Sequence, residues 1–107
     1  MSGKMDRMIR KAQDMERRVE EIRRELGKRI FEGEAEGVVT VTVNGDHEVL
    51  GIRIDEDSLE EILGDSGRTE KIAELVRDAV NTAIQRSKTV IDAEMARATK
   101  GLSLPGI

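Results

Sequence analysis

The 107-residue sequence predicts an α+β fold: a helix, a three-stranded antiparallel sheet and a long helix, in that order. Three observations predict it. Apolar residues between positions 4 and 26 recur in alternating steps of three and four, the spacing of a helix seamed to another helix. Positions 29–55 are rich in β-branched residues and punctuated by glycines. A second helical periodicity then runs from 69 to 99 without a Gly or Pro.

The first helix is expected over 4–26. Met5, Met8, Ala12, Met15, Val19, Ile22 and Leu26 form a strict seam with a 3.5-residue repeat, narrower than the apolar stripe of an ordinary globular helix. Such a seam wants one or two partner helices. Gly27 is placed as its C-cap. A β-meander follows over 29–55. Arg29 to Glu34 is the first strand. Val38 to Val43 is β-branched at every position, with Val39, Val41 and Val43 on one face. Asn44-Gly45 is a signal for a tight primed turn. His47 to Asp55 returns with Ile52 and Ile54 on one face and Arg53 on the other. Positions 56–67 form an acidic connector with a helical turn around Leu59, Ile62 and Leu63. The last helix spans 69–99, with Thr69 as its N-cap. At 1.5 Å per residue it reaches about 46 Å, too long for a compact domain of this size to cover. The tail at 100–107 is expected to be flexible. The chain is read as a single domain over 1–107.

Composition narrows the function. The chain has no Cys, so neither disulfides nor thiolate metal sites are available. Hydrophobic and charged residues each make up 37%, and Phe31 is the only aromatic, so a monomer buries little area per side chain and is marginal by itself. A dimer partner that covers the helices is the expectation. The first eight residues carry charges and no apolar run, so no secretory signal is expected. No stretch approaches the ~18 apolar residues of a membrane span, and no membrane partner is expected.

A search for chemistry finds none. His47 is the only imidazole, and no nucleophile-elbow or paired-histidine spacing surrounds it. Asp55-Glu56-Asp57-Ser58-Leu59 fails as a calcium loop, because Leu59 holds a ligand position and no Gly follows it. The glycines make neither a phosphate loop nor a dinucleotide fingerprint. No catalytic residue, cofactor, metal or small-molecule substrate is expected, and the protein is read as a non-enzyme.

Charge is more telling. The net charge is −4, but residues 1–30 hold ten Lys/Arg against six Asp/Glu, while the remainder holds eight against sixteen. With Met5 at heptad position a, Arg10, Arg17 and Arg24 fall at f and Lys4, Lys11 and Arg18 at g. Asp6, Glu20, Asp14 and Glu21 take the opposite flank, where Arg7 is the exception. A basic stripe along a rod suits a phosphate backbone, whose condensed counterions each Lys or Arg can displace. The same residues also form acid-to-base pairs at i,i+4 (Asp6 with Arg10, Asp14 with Arg18, Glu20 with Arg24, Glu25 with Arg29). Those pairs stabilise a solvated helix without any ligand. Both readings stand on charge alone. Without aromatics to stack bases, single-strand binding of the stacking kind is not expected.

Taken in order, several segments resemble the YbaB/EbfC family of bacterial nucleoid-associated proteins. They are Met5, Met8, Ala12-Gln13 and Met15; Gly37-Val-Val-Thr-Val-Thr-Val-Asn-Gly45; Ile52-Arg-Ile-Asp55 with Leu59; Leu75-Val76, Ala79, Asn81, Ala83 and Met95; and Gly101-Leu102 with Leu104-Pro105-Gly106. The resemblance covers nearly the whole chain. It implies a tweezer-shaped homodimer with projecting helical arms. It also implies binding to double-stranded DNA with little sequence preference, a part in organising the chromosome or influencing gene expression, and a place in the cytoplasm on the nucleoid. The resemblance marks no fixed contact residues. The heptad analysis selects Lys4, Arg7, Arg10, Lys11, Arg17 and Arg18 as the DNA-binding set. The alternative is a dimeric adaptor or scaffold that holds another protein and binds no DNA, which the acidic body and the paired helix charges favour.

Overall fold

The computed structural model describes residues 3–63 and 67–100. Helix α1 spans Gly3–Gly27, strands β1, β2 and β3 span Ile30–Ala35, Val39–Asn44 and Val49–Ile54, helix α2 spans Glu56–Leu63, and helix α3 spans Arg68–Lys100. The predicted order of helix, antiparallel sheet and long helix is the one observed. The connector is more regular than expected, since a full eight-residue helix, α2, replaces a single turn. Asp55 starts it: its main-chain oxygen accepts the Leu59 N–H, and its carboxylate accepts the Ser58 hydroxyl. Of the tail expected at 100–107, only Lys100 lies among the described residues, and it is helical.

The sheet is a meander in the order β1-β2-β3. Phe31, Gly33 and Ala35 of β1 and Val39, Val41 and Val43 of β2 point to one face and are buried. Helix α3 lies across β1 and β2 on that face, and Leu75, Ala79 and Ala83 complete the core with Leu59 of α2. The helix comes unusually close at Gly33, where a Cβ would collide with the backbone of Ala79 and Ala83. Only glycine permits that approach.

Three local expectations are corrected. The tight primed turn belongs to the first hairpin, not to Asn44-Gly45. Glu36 and Gly37 both have positive φ (50° and 69°), and Val38 N–H donates to Ala35 oxygen at 3.0 Å, the pattern of a type I′ turn. The second hairpin instead uses a four-residue loop, with His47 in the left-handed region at φ 64°. Asn44 organises this loop through its side chain: Oδ1 accepts the Asp46 and Glu48 N–H groups, and Nδ2 donates to the Glu48 carboxylate. Gly45 is occupied elsewhere, donating its N–H to Gly27 oxygen at 3.0 Å. The second correction follows from that contact. Gly27 does not cap α1 in a left-handed conformation; it is the helix's buried last residue, where a Cβ would meet the Asp46 carboxylate. The third concerns Thr69, which is not an N-cap. Helix α3 starts at Arg68, and the oxygen of Gly67 (φ 71°) accepts the first helical bond, from Lys71.

The molecule is long and thin. Its extents are 78 × 20 × 17 Å and its radius of gyration is 21.3 Å, against about 13 Å for a compact chain of this length. The N-terminal half of α1 accounts for much of the exposed apolar surface. Met15 and Leu26 of its seam are buried and Val19 and Ile22 half-buried, whereas Met5, Met8 and Ile9 are exposed.

Candidate functional site

The six cations selected from the heptad all sit on α1, and all are exposed. A continuous 25-residue helix carries them, so each keeps a fixed bearing around one rigid axis. Lys4, Lys11 and Arg18 form one row beside the apolar seam. Arg10 and Arg17 form the next, and Arg7 stands alone among the acidic positions.

The ion pairs are not the ones that the i,i+4 spacing predicts. Asp14 binds Arg17 at 2.8 Å rather than Arg18, Glu20 binds Arg23 at 4.0 Å rather than Arg24, and Glu25 binds Lys28 at 3.6 Å rather than Arg29. All three are i,i+3 contacts. Arg29 turns instead over the ring of Phe31, 5.7 Å from its centroid. Among the described residues, Lys4, Arg7, Arg10, Lys11 and Arg18 therefore take part in no ion pair, and of the predicted set only Arg17 does. Exposed pairs of this kind are weak and exchange readily, so an anion would displace Asp14 from Arg17 at little cost.

The rest of the chain treats its cations differently. Arg53 pairs with Glu32 across the outer face of the sheet, Arg68 with Glu60, Lys71 with Glu36, and Arg77 with Asp78. Arg86 donates to the main-chain oxygen of Glu32 at 3.0 Å. Most cations of the body are held by nearby carboxylates, while most of those on α1 are unpaired among the described residues. Cations outside the predicted set share the free state: Arg24 at heptad position f, and Lys88 and Lys100 on α3, have no ion pair among the described residues. The sequence conceals Arg24 because Glu20 stands at the right spacing to claim it.

The sheet has two unlike edges. On β1, Arg86 covers the Glu32 carbonyl. On β3, nothing among the described residues covers the strand, and Val49, Leu50, Ile52 and Ile54 are 42–54% exposed. Pairing with Val43, Val41 and Val39 puts Val49, Ile52 and Ile54 on the helix-facing side of the sheet. They stay exposed because α3 lies over β1 and β2. The register slips between Thr42 and Val43, so that Leu50 is the extra residue of a β-bulge. Neighbouring Ile62 of α2 is also exposed.

No set of three or more potential metal ligands clusters among the described residues. His47 is exposed on its loop, with no acid or nucleophile bonded to it among the described residues. A shallow groove along α3 is lined by Asn81, Thr82, Gln85, Arg86, Thr89 and Val90. It contains no convergent acid, base and nucleophile. No described helix is long and apolar enough to cross a membrane.

Comparison with known proteins gives a consistent picture. The model of the YbaB/EbfC DNA-binding family matches residues 1–102. A nucleoid-associated protein of Moorella thermoacetica is 36% identical over 105 residues, covering 97% of this chain and 96% of the relative. One from Pelotomaculum thermopropionicum is 32% identical over 108 residues, covering 100% and 98%. One from Myxococcus xanthus is 32% identical over 100 residues, covering 92% and 90%.

Proposed function

Because the chain belongs to the YbaB/EbfC DNA-binding family, which is non-enzymatic, we propose that it binds duplex DNA with little sequence preference through α1 and helps to organise the chromosome. The observation that carries this reading is the state of the α1 cations. Lys4, Arg7, Arg10, Lys11 and Arg18 are exposed and free of ion pairs among the described residues, and Arg17 is held only by a surface pair. Contacts of this kind reach phosphates and carry no base code, so they position a duplex without selecting its sequence. The relatives are named nucleoid-associated proteins, which supports a place on the nucleoid in the cytoplasm.

A homodimer is the second element of the proposal. The two sheet edges support it. An uncovered strand with apolar side chains invites pairing, and native chains normally blunt such an edge. Here the β1 edge is blunted by Arg86 and the β3 edge is not. Two copies meeting at β3 would bury Val49, Ile52 and Ile54 and leave both α1 helices to act on one duplex.

The test is fluorescence anisotropy of a labelled duplex of about 30 base pairs, titrated at several salt concentrations. If about six phosphates are neutralised, log K against log salt falls with a slope near −5. Affinity that does not respond to salt contradicts the proposal. Absence of binding at low salt from a confirmed dimer favours the adaptor reading instead.

A further inference from the structure

Helix α1 ends against a loop that belongs to the sheet. An α-helix leaves its last carbonyls without partners inside the helix. Here those of Glu25 and Leu26 accept the N–H groups of Lys28 and Arg29, on the chain that continues from the helix. The Gly27 carbonyl accepts instead from Gly45, in the loop between β2 and β3, at 3.0 Å. Both sides of this contact are shaped for it. A Cβ on Gly45 would strike the Leu26 carbonyl and the Gly27 backbone, and a Cβ on Gly27 would strike the Asp46 carboxylate. The two glycines let main chain lie on main chain.

Asn44 builds the loop that presents Gly45. Its Oδ1 accepts from the Asp46 and Glu48 amides at 2.9 and 3.0 Å, and its Nδ2 donates to the Glu48 carboxylate at 2.7 Å. His47 N–H donates to the Asn44 oxygen, and Asn44 N–H donates to the Glu48 oxygen. His47 completes the turn with positive φ, a region that histidine enters more readily than most side chains do. Asn44 thus aims the Gly45 N–H through the loop and makes no hydrogen bond to α1 among the described residues.

The rest of α1 is held differently. Met15 and Leu26 are buried and Val19 and Ile22 half-buried, and apolar contact has no preferred direction. Between residues 8 and 27, the Gly27 carbonyl accepts the one hydrogen bond that joins α1 to the sheet or to α3 among the described residues. No ion pair joins them there either. The directional hold on the helix therefore lies at its base. Lys4 stands about 35 Å along the helix from that point, so a tilt of about 10° at Gly27 carries it about 6 Å sideways.

We propose that the 44–48 loop fixes the bearing of α1 on the body, with Asn44 and Gly45 as positioning residues for the duplex contacts that α1 makes. The choice of ligand rests on the DNA-binding reading above; the hold on α1 does not. An arm that is already aimed need not be ordered when it binds.

The chain has no cysteine, so a single introduced one reports on the arm. Gln13→Cys is exposed on α1 and lies outside the predicted cations, and Ala73→Cys is exposed near the start of α3 as a reference. A dye at either place is followed by time-resolved fluorescence anisotropy. In Asn44→Ala the nanosecond component at position 13 is expected to grow about threefold in amplitude, with no change at position 73. Asn44→Asp with Glu48→Gln keeps the acceptor for both loop amides and reverses the donor of the side-chain bond, so it restores the original decay. If a released arm holds its binding bearing about one fifth of the time, duplex affinity falls about fivefold in Asn44→Ala and returns in the double variant. Gly45→Ala, which blocks the contact from the other side, repeats the effect independently, and circular dichroism checks that each variant is folded. An unchanged decay at position 13, or a change at position 73 as large as that at 13, overturns the proposal. So does affinity that stays constant while the decay changes. If the decays behave as expected but the unsubstituted protein binds no duplex at low salt, the hold on α1 is supported and the DNA-binding reading is the one that fails.

Discussion

Single residues decide two matters in this chain, how closely the long helix approaches the sheet and where charge stays available. Gly33 sets the first. Substitution by Ala drives a methyl group into the backbone of α3 at Ala79 and Ala83, and neither backbone can move without opening the core. Gly33→Ala is expected to lower stability by about 1–3 kcal/mol, read from the urea midpoint. The choice of ion-pair partners sets the second. Asp14, Glu20 and Glu25 take cations three residues on, which leaves Arg18 and Arg24 free of ion pairs among the described residues. If Arg10 and Arg18 are phosphate ligands, Arg10→Glu with Arg18→Glu weakens duplex binding for all sequences alike. The salt slope then falls by about one for each contact removed. Unchanged slope and affinity would place the interface elsewhere.

At the level of elements, the contrast is between β2, which is wholly committed, and β3, which is not. Val39, Val41 and Val43 are fully buried under α3, while the isoleucines paired with two of them lie one strand beyond its reach. Helix α2 closes one end of the core by a single buried side chain, Leu59, and follows directly on Asp55, whose carboxylate accepts the Ser58 hydroxyl. Asp55→Ala is expected to cost about 0.5–2 kcal/mol. Its effect belongs to α2 alone, so hydrogen exchange should rise around Leu59 and leave β2 protected.

The whole molecule is a rod with its charges segregated, net positive and mostly unpaired along α1, net negative and locally paired over the sheet and the base of α3. Repulsion between DNA and the acidic body would orient the chain so that α1 approaches first. A rod of this shape leaves more apolar surface open than a compact domain does, and association with a second copy would cover it. Ile52→Lys with Ile54→Lys adds charge where a second copy would sit, at side chains that are 48% and 42% exposed in the monomer. Light scattering coupled to size exclusion should then report a monomer that retains its helical content. A double variant that stays dimeric moves the interface away from β3.

The order of elements, the two helices, the inner face of β2 and the basic character of α1 were all legible in the sequence, because each rests on a short-range period or a local composition. The seam spacing of α1 and the valine alternation of β2 needed no knowledge of what they pack against. What only the tertiary structure decided depends on distant groups competing for the same atom or the same surface. The Asn44-Gly45 pair is a strong local signal for a tight turn, yet Gly45 is drawn to the end of α1 and the loop opens to four residues. Gly27 resembles a cap, but its lack of a side chain serves the Asp46 loop packed on it. The exposure of β3 follows from the path of α3 over β1 and β2, set by the close approach at Gly33, and no property of β3 itself predicts it. Local chemistry settles what each segment becomes. Which of its faces and charges remain free depends on which neighbour arrives first.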